Sequence, residues 1–391
     1  MANRWSILAV LFFARMAMAF QFQAVAALAP LIEQSYGASL ADIGLLIGLY
    51  FAPGIAFAIP GSALATRLGE RRVVLAAMIL MLVGGALMWT GTGWAALVSG
   101  RLLAGIGGAI INVLLTKLVV DWFIGREIST AMAIFINSWP VGIALALLVL
   151  PHVAASGLAP AWGAVVLLIA VALLVFILGH RAPDSGAGTA PLVRTRRLPL
   201  GAVVLAGWIW AFYNAAIGMV FSFGPILLVA RGRTLAAASS ATSLYLVLLA
   251  VSVPLGGILA DRTGHRDAVI ALSLAGFAIL LAAAVWLPLG WVPAVFVVMG
   301  LISGLAGGPV MGLPSLVLSP EARAFGMGVF FTIYYAVFMV APMFAGWLAD
   351  LAGDAAMPFL VGVVMLMTCL AALWWFRRAA RHLPDTASPA E

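Results

Sequence analysis

Gly257-Ile258-Leu259-Ala260-Asp261-Arg262-Thr263-Gly264-His265-Arg266 is a short polar turn between two long apolar runs. A second version, Ser62-Ala63-Leu64-Ala65-Thr66-Arg67-Leu68-Gly69-Glu70-Arg71-Arg72, stands 195 residues earlier. The same offset of 195 relates Tyr50 to Tyr245, Gly61 to Gly256 and Pro30 to Pro225. Farther on, Gly100, Gly107 and Gly108 match Gly300, Gly307 and Gly308 at an offset of 200, which needs only a few extra residues around the ninth apolar run. A series of matches at one spacing marks a duplicated unit. The chain reads as two related halves.

Outward from these turns the sequence is apolar almost throughout. Runs at 6–30, 42–65, 73–92, 95–120, 128–150, 160–179, 201–229, 238–259, 268–287, 291–317, 326–349 and 356–376 are each long enough to cross ~30 Å of hydrocarbon as a helix. Unpaired backbone groups are intolerable in lipid, so runs of this length span as helices. The period-two alternation of a membrane barrel is missing. Charged residues make up 8% of the chain, against about 25% in soluble proteins, and hydrophobic residues 65%. A soluble enzyme, a nucleic-acid binder and a secreted scaffold are excluded. The lone cysteine, Cys369, permits no intrachain disulfide. The first run is too long for a signal peptide, and Arg15 interrupts it.

The basic residues explain themselves once the runs are threaded through a membrane with the N-terminus in the cytoplasm. Fifteen then fall inside: Arg4, Arg67, Arg71, Arg72, Arg126, Arg181, Arg194, Arg196, Arg197, Arg262, Arg266, Arg323, Arg377, Arg378 and Arg381. Only Arg231 and Arg233 fall outside. Such asymmetry is the positive-inside pattern, and it accounts for the net charge of +7 without nucleic acid. The expectation is an integral protein of a bacterial inner (plasma) membrane with both termini cytoplasmic. Residues 181–198, rich in Gly, Pro and Arg, read as a cytoplasmic linker between a bundle at 1–180 and a second at 199–391 that ends in a short tail.

Taken together, the turn motif, its weaker copy and the stretch Arg101-Leu102-Leu103-Ala104-Gly105-Ile106-Gly107-Gly108 resemble the signatures of the major facilitator superfamily. The resemblance covers the whole chain. It implies an all-α membrane protein of twelve transmembrane helices in two pseudo-symmetric six-helix bundles, moving small solutes by alternating access. It also implies a conformational role for Arg67, Gly69 and Arg71 in the first half, and for Gly257, Asp261, Arg262, Gly264 and Arg266 in the second. Thr66 departs from the pattern, which usually has an aspartate there, and this puts gating by the first copy in doubt. Physically, Gly264 suits a tight turn with positive φ, and Asp261 can accept from an arginine or a helix N-terminus. The other reading is that these charges only anchor the turn at the headgroups. Trp122-Phe123-Ile124-Gly125-Arg126-Glu127 and Ser319-Pro320-Glu321-Ala322-Arg323 occupy equivalent turns and read as caps and anchors.

Charge within the bilayer is costly, so it marks function by default. Arg15 lies about eight residues, roughly 12 Å, into the first helix. It shares a face with Met18, Ala19, Phe22 and Gln23 at helical spacing. A forked cation there suits a solute carboxylate or oxyanion; the competing reading is that it binds carbonyls of a broken neighbouring helix. Arg101 is a second candidate, although it can snorkel toward the nearer surface. Lys117 and Asp121 read as a local ion pair at the membrane border. Gln23, Asn112, Asn137, Tyr213 and Asn214 are candidate solute contacts, with Trp139, Tyr50, Tyr245, Tyr334 and Tyr335 behind them. Pro53, Pro140, Pro225, Pro309 and Pro314 allow bends.

All thirteen acids, among them Glu33, Asp42, Asp121, Asp261 and Asp350, fall in turns or at run borders, as do the histidines. A cation transporter would want a buried carboxylate. No phosphate-binding loop, metal-ligand cluster or nucleophile elbow is present, so neither an enzyme nor a cofactor is expected. The leading expectation is therefore a secondary transporter of a small organic or inorganic anion, with a coupling ion or counter-substrate, the lipid bilayer and no nucleic acid as partners. The turn after the fourth run is similar to that of bacterial anion and cyanate-type permeases. The alternative is an exporter of hydrophobic or drug-like compounds, although Pro140-Val141-Gly142 matches poorly the glycine-proline motif common in drug antiporters. A membrane sensor is the third class; it would favour a large signalling domain, and fifteen residues follow Phe376.

The charge asymmetry makes a direct prediction. A cysteine replacing Ser185 in the linker should stay unlabelled when intact cells meet a membrane-impermeant thiol reagent, and should label after lysis. Labelling from outside would reverse the topology.

Overall fold

The structure, a computed structural model, describes residues 3–123, 128–180, 199–318 and 323–381. The turns at 124–127 and 319–322 and the linker 181–198 lie outside the described residues, and with them the capping reading of those turns.

All secondary structure among the described residues is helical. In order, the α-helices are α1 (Arg4–Ala27), α2 (Ala29–Tyr36), α3 (Leu40–Leu49), α4 (Ala52–Leu68), α5 (Glu70–Thr90), α6 (Trp94–Phe123), α7 (Ile128–Ile136) and α8 (Ser138–Val153). They continue as α9 (Leu158–Gly179), α10 (Leu200–Ala230), α11 (Leu235–Thr263), α12 (Arg266–Trp286), α13 (Val292–Gly304), α14 (Gly307–Met311), α15 (Arg323–Ala352) and α16 (Met357–Arg381). Twelve stretches among them have the length and apolarity to cross a membrane, and each overlaps one of the twelve apolar runs. Large apolar side chains face outward, Leu167, Leu272 and Leu351 among them, as a lipid-facing surface requires.

Three spans are broken, and each break has the same sequence cause. Proline has no N–H, so the carbonyl four residues earlier loses its helical donor. Pro53 releases Leu49, where α3 ends; Pro140 releases Ile136, where α7 ends; Pro309 releases Leu305, just past the end of α13. Prolines 151, 225, 254 and 342 lie inside helices that continue through them.

The described residues form two compact units. The first gathers Met1–Ala187, Phe221–Val247 and Met339–Ala355; the second gathers Gly188–Val220, Leu248–Phe338 and Ala356–Glu391. Within the first, α1 packs on α8 and α9, and α5 on α6 and α9. Segments from beyond the linker join it through backbone contacts. The Gln23 amide donates to the Phe221 carbonyl at 2.6 Å, and the Ser243 hydroxyl to the Ala144 carbonyl at 3.1 Å. The α3 helix meets the end of α15 at glycines: a Cβ on Gly44 would lie 2.1 Å from the Pro342 carbonyl oxygen, and one on Gly346 would lie 2.0 Å from that of Leu40. In the second unit α12 packs against α13 and α16.

These backbone approaches leave no room for a methyl group. Gly44→Ala and Gly346→Ala should each lower thermal stability of the purified protein by about 1–3 kcal/mol, the usual cost of overpacking. Gly201→Ala, where a Cβ would meet nothing within 4 Å, should be neutral or mildly stabilising.

Candidate functional site

The first unit holds two arginines at the breaks of neighbouring helices. Arg15, on α1, turns toward the junction of α7 and α8. Its Nη1 donates to the carbonyls of Phe135 (3.2 Å) and Ile136 (3.1 Å) and to the Ser138 hydroxyl (3.2 Å). Its Nε donates to Asn112 Oδ1 at 3.1 Å. The Ile136 carbonyl is the one that Pro140 deprives of a donor, so the cation completes a hydrogen bond that the sequence removed. The guanidinium also lies 4.9 Å from the Phe135 ring centre and 5.9 Å from that of Trp139. Arg15, Asn112, Asn137 and Trp139 are all partly exposed.

Arg101, on α6, is different. It is 0% exposed, and all three of its guanidinium nitrogens donate to backbone: Nε to Leu46 (2.7 Å), Nη1 to Gln21 (3.0 Å) and Nη2 to Phe22 (2.6 Å). The Leu46 carbonyl is available because the Tyr50 N–H at the end of α3 bonds to nearer carbonyls instead. The ring of Tyr50 stacks against the cation at 4.6 Å and that of Phe22 at 5.4 Å. The sequence reading offered Arg101 a solute contact or a snorkelling position. In this structure the side chain is sealed inside the unit, with all three guanidinium nitrogens on backbone carbonyls. Its energetic reason is the same as that of Arg15, since desolvated carbonyl dipoles and ring faces replace water around the cation.

Between the two arginines lies a cluster of rings. Phe22 stacks on Trp139 at 5.3 Å and contacts Phe51 at 5.0 Å, Tyr50 at 5.5 Å and Phe221 at 5.9 Å. Gln23, another sequence candidate, is fully buried; its Nε2 bonds to Phe221, while its Oε1 has no hydrogen-bond partner.

The second unit repeats the theme with neutral groups. At the α13–α14 break, Ser273 donates to the Ile302 carbonyl (2.7 Å) and accepts from the Ala306 N–H (3.1 Å), while Ser252 donates to Leu301. Tyr213 is buried and donates to the Ser303 carbonyl at 2.7 Å, so it too serves the break. Asn214 bonds to the Trp210 carbonyl of its own helix at 2.8 Å and stays partly exposed. Rings of Trp210, Phe330, Tyr334 and Phe338 lie nearby.

At the turn motifs the positive φ expected of glycine is present, +86° at Gly69 and +67° at Gly264. Asp261 is 77% exposed and lies 3.8 Å from Arg266, an ion pair too long for a hydrogen bond. Arg262 and Arg67 face outward, and Gly257 lies against Gly308. Arg71 donates to the Ile177 carbonyl at 3.0 Å. Lys117 pairs with Asp121 at 2.9 Å and also with Glu70. Glu70 escaped the sequence reading, because its partner stands 47 residues away on another helix.

The sequence matches the Major Facilitator Superfamily profile over residues 11–238 and 211–391. No curated protein sequence matches it significantly. Among solved structures, a bacterial homolog of the human lysosomal transporter Spinster is 18% identical in its inward-facing, occupied form, with 99% of each chain covered and a TM-score of 0.79. The unoccupied form of that homolog gives 17% identity, the same coverage and a TM-score of 0.80. A POT family transporter in complex with 5-aminolevulinic acid is 16% identical over 95% of this chain and 96% of its own, with a TM-score of 0.75.

The two arginines should respond differently to mutation. Arg101→Gln orphans the Leu46 carbonyl and opens a void, so it should cost stability, about 1–3 kcal/mol for the unmet acceptor alone. Arg15→Gln, at a partly exposed site, should lose less. Thermal unfolding of the two purified variants compares them directly.

Proposed function

The chain belongs to the major facilitator superfamily, and on that premise we propose that it is a secondary transporter carrying a small organic anion by alternating access. The observation that carries this reading is Arg15: a permanent cation, partly exposed, deep in α1 and set among Asn112, Ser138 and the Trp139 ring. No acid of the sequence falls in the middle of an apolar run, so the field around such a cation favours negative solutes. The adjoining ring cluster favours an organic anion over an inorganic one, because apolar atoms of the solute gain contact with Trp139, Phe22 and Phe51. A carboxylate or similar group would take over Arg15 donors that now reach the α7 carbonyls. Solute loading would thereby act on the α7–α8 break.

In this reading the halves at 1–180 and 199–391 are joined by a cytoplasmic 181–198 linker, in a bacterial inner membrane with both termini inside. The loose Asp261–Arg266 pair supports a contact that forms and releases between access states. Arg67, Gly69, Arg71, Gly257, Arg262 and Gly264 shape those turns. Asn112, Asn137 and Asn214 are proposed solute contacts, whereas Gln23, Arg101 and Tyr213 are proposed to hold the helices that frame the site.

The ring cluster by itself would suit the second reading, export of hydrophobic compounds, and one comparison separates the two. Ligand-induced thermal stabilisation over a panel of anions, sugars, amino acids and drug-like compounds should single out an organic anion. Arg15→Gln should then weaken that ligand roughly 10- to 150-fold, as loss of a charged hydrogen bond of about 1.5–3 kcal/mol requires. Arg15→Lys should recover part of it, because an ammonium lacks the planar fork. Wild-type affinity in folded Arg15→Gln would move the hydrophobic exporter ahead.

A further inference from the structure

The exposed face of α16, in the second unit, changes character along its length. Val364, Met367, Ala371, Trp374, Arg378 and Arg381 succeed one another at steps of three or four residues, so they form one stripe of the helix, and all six are exposed. Trp375 lies beside the stripe; its side chain and that of Trp374 are 55% and 51% exposed. The opposite face, with Leu366, Cys369 and Phe376, is buried, and α16 packs on α12. From one end to the other the stripe runs aliphatic, indole, guanidinium. That is the order of the layers in one bilayer leaflet: hydrocarbon, interface and headgroup.

The guanidinium of Arg378 lies 3.7 Å from the Trp374 ring centre and 5.9 Å from that of Trp375, and the two indoles meet edge to face at 4.8 Å. The rings hold the cation in place but accept no ordinary hydrogen bond from it. Among the described residues no carboxylate pairs with Arg378 or Arg381. The acids nearest this end are engaged elsewhere: Asp267, at the head of α12, pairs with Arg377, and Asp261 lies 3.8 Å from Arg266. Two forked donors one turn apart therefore stand without a counter-charge. Both also belong to the last turn of α16, where cations complement the negative helix end; the bland alternative is that they do only this.

We propose that this stripe is a binding site for one acidic phospholipid. The phosphate takes donors from Arg378 and Arg381, the glycerol esters rest on the two indoles, and an acyl chain lies along Ala371, Met367 and Val364. The arginines stand roughly 4.5 Å apart along the helix axis, within reach of a single phosphate. The order of the stripe selects the occupant. A soluble anion meets the guanidinium pair but leaves the indoles and the aliphatic residues uncovered. A zwitterionic lipid covers those, yet carries its own cation beside the phosphate. An acidic phospholipid matches all three levels. On the proposed topology this end reaches the cytoplasmic leaflet, whose surface is negative. The site requires a bilayer and no transport step, so it stands apart from the Arg15 reading.

The test titrates the full chain, delipidated in mild detergent, with phosphatidylglycerol or with phosphatidylcholine of the same acyl chains, and counts bound lipids by native mass spectrometry. One phosphatidylglycerol should bind more tightly than any phosphatidylcholine. Each arginine at an anionic headgroup contributes roughly fivefold, so Arg378→Gln with Arg381→Gln should weaken that first lipid about 25-fold. Arg378→Lys should lose only part of its share, because an ammonium lacks the planar fork. A control pair, Arg4→Gln with Arg72→Gln, removes the same charge elsewhere and should leave the first lipid at wild-type strength. Thermal unfolding of each lipid-free variant separates misfolding from lost binding. Equal binding of the two lipids, undiminished phosphatidylglycerol binding in the Arg378 and Arg381 double variant, or an equal loss in the control pair overturns the proposal. So does displacement of the lipid by equimolar glycerol phosphate, which would make this a site for a soluble phosphate.

Discussion

A backbone carbonyl released inside an apolar bundle has no water to accept from, and the architecture of this protein turns on how such carbonyls are met. Three spans are interrupted four residues before a proline, at Leu49, Ile136 and Leu305. Every interruption is a possible hinge, and every one would be prohibitively costly if left bare. In the first unit the remedy is charge. Arg101 reaches Leu46 at the foot of the α3 break, and Arg15 reaches Phe135 and Ile136 at the α7 break. In the second unit Ser252, Ser273 and Tyr213 do the same for the α13–α14 break with hydroxyls alone.

That difference separates two halves that the sequence repeat makes alike. A hydroxyl satisfies a carbonyl without any long-range field, whereas a guanidinium brings a full positive charge into a region of low dielectric. Arg101 is walled in by carbonyls and the rings of Tyr50 and Phe22, so its charge serves packing. Arg15 remains partly exposed and lies 5.9 Å from the Trp139 ring centre. Two residues of the same chemistry, in helices of one unit, thus divide into a structural tie and a candidate ligand contact. Exposure decides between them, because a charge acts on a solute only where the solute can reach it.

Much of the fold was legible because lipid imposes simple rules on composition. Twelve runs of sufficient length became twelve helical stretches of membrane length, and Gly264 adopted the positive φ that its position in the turn implied. The local pair of Lys117 and Asp121 was also legible, since four residues of helix bring the two side chains together. Its extension to Glu70 was not, because nothing in the spacing of residues 70 and 117 reports that α5 and α6 meet at that level. The candidate site was legible as residue types only. Both readings of Arg15 were open from the sequence, and the tertiary contacts add its carbonyl partners to its partial exposure.

Sequence by itself therefore determined the solvent, the number of spans and the repeat, and it named prolines where helices can break without deciding which of them do. Those are consequences of composition, periodicity and the missing N–H of proline, all local to the chain. Tertiary structure decided which donor meets each break, which arginine is sealed, and that Asp350, far away in sequence, caps the head of α3. The physical reason is that burial and electrostatic neighbourhood belong to the space between helices, and no spacing along one helix encodes them.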